Sequence, residues 1–171
     1  MKEGNWQTTI GRGLKGNTLG IFGLGKQGLQ VAVYAKAFGM NVIAWSHNLK
    51  LEDCEKVGVE YVNSTDLFKM SDILTIHTRL SNRTLGYINK NNLKLMKKGS
   101  AIVNTSRGPI IKEQDLIKAL NNNIISCAAL DVYDQEPLPR DHILRKTKNL
   151  ILTPHIGYVS EEAYEKFFNG Y

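Results

Sequence analysis

The chain has 171 residues, 42% of them hydrophobic, and 22 Lys+Arg against 16 Asp+Glu give a net charge of +6. At roughly 150 residues per domain this is one domain, large enough to bury about 70% of its unfolded surface. The apolar content excludes a disordered chain, and no stretch reaches the roughly 18 apolar residues of a membrane helix. The start, Met1-Lys2-Glu3-Gly4-Asn5, has no apolar run behind its charges and is not read as a secretory signal. The expectation is a soluble, cytoplasmic protein with no membrane partner. Cys54 and Cys127 form no CxxC pair and are read as two unlinked thiols in a reducing compartment. The lysines are scattered, apart from Lys90, Lys94, Lys97 and Lys98, which are read as the solvated face and C-terminal end of one helix. No nucleic-acid partner is expected.

In chain order, a polar, Gly-rich lead-in over Met1 to Gly16 precedes a first apolar run, Thr18 to Phe22. An amphipathic segment, Gln27 to Phe38, leads to a second run, Asn41 to Trp45. Helical Leu51 to Val57, a weak strand Glu60 to Val62 and helical Ser64 to Met70 come next, before a run at Ile73 to Ile76. Helical Asn89 to Met96 precedes the run Ala101 to Asn104, and helical Lys112 to Asn122 precedes Ser126 to Asp131. Leu150 to Leu152 is the last strand, and Ser160 to Phe168 starts as a helix with Ser160 as its cap. Several runs lack period-2 alternation, as expected of strands buried on both faces. Strand, helix and strand in repetition predict an α/β fold, a doubly wound parallel sheet in three α/β/α layers. Ligands then bind beyond the carboxyl ends of the strands.

The residues just after each run are therefore the candidates. After the first lies Gly23-Leu24-Gly25-Lys26-Gln27-Gly28. A GxGxxG that follows a strand and opens a helix is the setting of a dinucleotide site. Gly23 would make the turn, Gly25 would admit a pyrophosphate and Gly28 would let helix and strand pack. The phosphates would meet free N–H groups at the helix start. After the second run, Ser46-His47-Asn48 stands where NAD-preferring folds place an acid, and no acid is near until Glu52. Ser46 would not repel a 2'-phosphate, and His47 or Lys50 would attract one. The cofactor is thus NAD or NADP, tilted toward NADP. Thr105, Ser106 and Arg107 follow the Ala101 to Asn104 run, and the Arg107 fork suits a carboxylate. Glu136-Pro137 and Pro154-His155-Ile156-Gly157 follow the last two runs. Arg, Glu and His converging on a dinucleotide crevice form a chemical set. The imidazole can carry a substrate proton, and the carboxylate can hold it. No spacing of ligand-type residues suggests a metal.

Taken together, Gly11-Arg12-Gly13-Leu14-Lys15-Gly16, the glycine motif, Asn104-Thr105-Ser106-Arg107-Gly108, Ala129-Leu130-Asp131-Val132, Glu136-Pro137 and Pro154-His155-Ile156-Gly157 resemble the D-isomer-specific 2-hydroxyacid dehydrogenases. The resemblance covers nearly the whole chain and implies a Rossmann-type cofactor domain. It implies reversible hydride transfer between a nicotinamide cofactor and a small 2-oxo or 2-hydroxy acid. Arg107, Glu136 and His155 take the catalytic positions. Cofactor contacts carry over to Gly25, Lys26, Gln27, Ser46, Thr78, Thr105, Arg107, Asp131, His155 and Gly157, with Asp131 orienting the nicotinamide. Gly23, Gly28, His47 and Ser106 complete the candidate cofactor set.

The chain departs from the family pattern at Ser46, at Arg79, where many members have proline, and at Gln27. The resemblance further implies a second lobe built from both chain ends. Residues 17–159 would form the cofactor domain, 1–16 a lead-in from the lobe and 160–171 the start of a helix returning to it. The expectation is therefore a fragment. A homodimer is implied, with Asn5 to Gly16 reaching toward the partner. Two other readings are a corepressor-like module that senses NAD(H) and a catalytically incomplete binding fragment. An adenosylhomocysteinase-like enzyme is disfavoured by Glu136-Pro137 and Pro154-His155.

Overall fold

The computed structural model describes residues 3, 4, 6 and 10–170. The lead-in expected over residues 1–16 thus lies partly outside the described residues. Each apolar run becomes a strand: β1 Thr18–Phe22, β2 Asn41–Trp45, β3 Glu60–Tyr61, β4 Ile73–Ile76, β5 Ala101–Asn104, β6 Cys127–Leu130 and β7 Leu150–Leu152. They form one parallel sheet in the order β3-β2-β1-β4-β5-β6-β7. The helices are α1 Lys26–Ala37, α2 Leu51–Glu55, α3 Ser64–Met70, α4 Lys90–Leu93, α5 Glu113–Asn121 and α6 Glu161–Asn169. Chain order reverses between β1 and β4, so a crevice opens above their carboxyl ends.

Alternation fails in the central strands because both faces are covered. Leu19, Ile21, Val42 and Ala44 pack with Ala32 and Ala35 of α1 and Cys54 of α2. Phe22, Ile43, Leu74 and Ile76 pack on the other side with Leu67 and Phe68 of α3, Leu93 of α4 and Leu116 of α5. Each such side chain contributes about 1.5–3 kcal/mol by leaving water. Over β5–β7 the first of these layers is incomplete. Val103 and Ala129 are only half-buried, their register partner Ile151 is 65% exposed, and α6 buries none of its residues.

The lysine cluster is placed differently from the sequence expectation. Asn89 caps α4 by accepting from the Asn91 N–H, and after Leu93 the chain tightens through Leu95 N–H to Asn92 O and Met96 N–H to Leu93 O. These shorter i to i+3 bonds end the α-helix early. Lys94 is therefore its C-cap, while Lys97 and Lys98 lie beyond it; Lys97 Nζ sits 3.1 Å from Asp72. Cys54 and Cys127 are both free thiols.

Candidate active site

The turn from β1 into α1 begins where the Gly23 N–H donates to Trp45 O at 2.9 Å. Gly23 adopts φ +104°, and a Cβ there would lie 2.7 Å from the Thr78 backbone nitrogen, so no other residue fits. At Gly28 a Cβ would run into the Gly23 carbonyl, which locks the helix against the turn. Gly25, between them, faces open space. It is the N-cap of α1, with no side-chain cap and no acid in the first turn. The first N–H groups of the 12-residue helix, and the positive end of its dipole, are thus left for an anion.

From this turn a groove of about 970 Å³ runs along the ends of β2 and β4. Gly23, Gly25, Lys26, Gln27, Ser46, His47 and Thr78 all line it. His47 is seated by an aromatic ladder: its ring centroid is 4.9 Å from Trp45 and 5.2 Å, edge-on, from Tyr87. Tyr87 stacks on Trp45 and its hydroxyl lies 2.6 Å from Ser64 Oγ. Ser106 is occupied structurally, because its hydroxyl donates to Thr78 O at 2.5 Å and ties the ends of β4 and β5 together. Thr105 is exposed just past β5. Open volume, uncapped helix donors and a glycine that leaves the backbone bare fit a dinucleotide pyrophosphate and its adenosine end.

The second part of the site follows β6 and β7. Asp131 is buried, and three donors meet its carboxylate. Thr153 Oγ1 donates to Oδ1 at 2.6 Å, Ile156 N–H to Oδ1 at 2.9 Å and Gly157 N–H to Oδ2 at 2.9 Å. Burial pushes its pKa up, but these bonds and the charge of His155 outweigh that and hold it below its ordinary value. The bonds shape residues 153–157 into a turn that holds His155 at φ 54°, a left-handed conformation that a non-glycine residue keeps only when its surroundings enforce it.

His155 Nδ1 lies 2.6 Å from Glu136 Oε2, and Glu136 Oε1 accepts from the Tyr133 N–H at 2.9 Å. Burial raises Glu136; the His155 bond, the Tyr133 N–H and the charges of His155 and Arg107 outweigh it and lower its carboxyl below the usual range. With Nδ1 engaged, Nε2 is the imidazole nitrogen left for a ligand. Tyr158 stands edge-on to the ring at 5.6 Å. Arg107 is exposed, with Nη1 donating to Ser106 O at 2.6 Å. Beside His155 and Glu136 is a hollow of about 540 Å³, also walled by Tyr133 and Arg145.

Sequence reasoning missed several of these residues. Tyr133 donates its hydroxyl to Thr153 O at 2.7 Å and so braces the turn that carries His155. Asp53, Lys56 and Arg83 line the groove. The i to i+3 spacing of Asp53 and Lys56 was a visible signal; Arg83 had none. Among the described residues no group of three or more His, Cys, Asp or Glu is placed to hold a metal. No helix among them is long and apolar enough to cross a membrane.

A parallel sheet with a glycine turn at its switch point and a His–Glu pair at the same edge defines a dinucleotide-binding α/β domain of an oxidoreductase type. The D-isomer specific 2-hydroxyacid dehydrogenase, NAD binding domain, matches residues 1–157. The chain belongs to this family. It is 40% identical to the glyoxylate reductase of Thermococcus litoralis, over 96% of this chain and 52% of that protein. It is 42% identical to the D-3-phosphoglycerate dehydrogenase of Methanocaldococcus jannaschii, over 95% of this chain and 32% of that one. Among solved structures, a phosphoglycerate oxidoreductase from Vibrio cholerae superposes with a TM-score of 0.92 at 35% identity, over 99% of this chain and 56% of that one. A D-lactate dehydrogenase from Aquifex aeolicus, complexed with NAD and lactic acid, gives 0.84 at 31% identity, over 94% and 52%. The chain thus spans about half the length, or less, of these relatives.

Proposed function

We propose that this chain is the cofactor-binding half of a D-2-hydroxyacid dehydrogenase that interconverts a small 2-oxo acid and its 2-hydroxy acid. The observation that carries the reading is the 2.6 Å His155–Glu136 pair, held at the edge of the sheet whose switch point carries the glycine turn. When bound, a reduced nicotinamide would supply the hydride that adds to carbon 2 of the oxo acid. His155 Nε2 gives its proton to the carbonyl oxygen as the hydroxyl forms, and returns to the neutral imidazole. Glu136 stabilises the charged imidazolium before transfer and fixes which nitrogen faces the substrate. Arg107 pairs with the substrate carboxylate through its planar fork and polarises the carbonyl. Asp131 keeps the His155 turn in place and orients the nicotinamide. Thr105 and Thr78 complete the cofactor wall.

The cofactor within this reading is NADP rather than NAD. Ser46 at the end of β2 carries no charge to repel a 2'-phosphate. Residues 17–159 form the cofactor domain, and 160–171 the start of a helix returning to a substrate lobe. The support is that α6 buries none of its side chains and leaves Phe167 and Phe168 about four-fifths exposed. A homodimer rests on the family resemblance.

The test is a chimera in which this chain replaces the matching half of the Thermococcus litoralis glyoxylate reductase. Oxidation of reduced dinucleotide upon addition of glyoxylate or hydroxypyruvate, followed by absorbance, is the expected result. A chimera that folds and binds the dinucleotide but turns over no 2-oxo acid would establish a binding module instead.

A further inference from the structure

The groove beyond Ser46 has a second wall, contributed by the loop after β4. Arg79 and Arg83 stand on it, and both line the groove opposite the residues that follow β2. The loop is not slack. Thr84 is 4% exposed, and its hydroxyl donates to Arg79 O at 2.7 Å and accepts from the Ser81 N–H at 2.8 Å. The two arginines therefore sit at either end of a fixed turn. Arg83 reaches across: its Nη1 donates to Asn48 Oδ1 at 3.2 Å. That one bond orients the guanidinium and leaves most of its five donors unused. Because Asn48 accepts through its oxygen, its amide N–H2 also remains a donor.

Charge selects the ligand. The groove is lined by Lys26, Lys56, Arg79 and Arg83 against one acid, Asp53. Asp53 is itself paired with Lys56 through Oδ1 at 3.1 Å, which offsets its charge. A site built to accept a ribose diol needs a free carboxylate, whereas a phosphate monoester needs planar cationic forks and neutral donors.

We infer that Arg83, held on Asn48 and flanked by Arg79, is the residue that recognises the 2'-phosphate of NADP, closing a subsite whose other side is Ser46 and His47. The inference rests on the NADP reading above and adds a specificity-determining residue to it.

Calorimetric titration of the chain with adenosine 2',5'-bisphosphate and with 5'-AMP tests it without any turnover. The wild type is expected to bind the bisphosphate at least about tenfold more tightly, the effect of one charge-assisted contact. Arg83→Ala should bring that ratio close to one and leave 5'-AMP affinity unchanged. Asn48→Asp should lower the ratio also, because its carboxylate takes the Arg83 fork and repels the phosphate. A wild-type preference that survives in folded Arg83→Ala and Asn48→Asp overturns the role of Arg83 while NADP preference stands. A wild-type ratio of one or below overturns the NADP reading itself, and the Arg83 subsite with it.

Discussion

Asp131 gathers three donors from residues that follow β7, and so its carboxylate is where the turn that carries His155 is made. Replacing it by Asn keeps an acceptor for Thr153 and Ile156 but turns an amide N–H2 toward the Gly157 N–H. Two donors then face each other at a buried position, at a cost of about 1–3 kcal/mol. Asp131→Asn should lower the midpoint of chemical denaturation accordingly, and reduce turnover in the chimera by misplacing His155. The pH dependence follows from the same bonds. Asp131 and Glu136 are both depressed in the folded chain. Their contribution to stability is therefore present above the unfolded carboxylate values, about 3.9–4.3, and is lost as pH falls through the lower folded ones. Glu113 and Asp134 are raised by burial and act in the opposite sense, losing stability as pH rises through their folded values. The acid limb of a stability–pH curve should therefore be shallower in Asp131→Asn than in the wild type. Parallel curves would show that the three bonds do not hold the carboxylate charged.

At the level of elements, the turn between β1 and α1 depends on contact between two glycines. Gly28→Ala puts a methyl group against the Gly23 carbonyl, which cannot retreat because Gly23 is itself pressed on the Thr78 backbone. Overpacking of this kind costs about 1–3 kcal/mol. The expected outcome is a loss of thermal stability together with weakened dinucleotide binding, since α1 must shift away from the groove. A stable variant with unchanged binding would contradict it. The central strands were legible because burial on both faces writes them as unbroken apolar runs, and β1, β2, β4, β5 and β7 all end where the apolar runs end. Helix ends were less legible. α4 stops at Leu93 because side-chain capping by Asn89 and Asn92, then i to i+3 bonding, decide its length, and neither has a hydrophobic period. The glycine turn, Arg107, Glu136 and His155 could be found because each follows a strand. Arg83 could not, as its partner Asn48 lies 35 positions away and meets it only once β2 and β4 are placed on either side of β1.

For the whole molecule, the sheet brings together residues spread from Gly23 to Gly157 along one edge, with the cofactor groove at its switch point and the His155–Glu136 pair beside it. The chain spans about half the length of the Thermococcus litoralis glyoxylate reductase it matches. The central claim is that His155 moves the substrate proton while contributing little to dinucleotide binding. Measuring kcat and dinucleotide affinity for His155→Ala in the glyoxylate reductase chimera tests this most directly. With this role, kcat should fall by about 10²–10⁴-fold, the usual worth of a positioned general acid, with affinity within about twofold of the parent. Turnover equal to the parent's, or a fall in affinity that accounts for the whole loss, would contradict it.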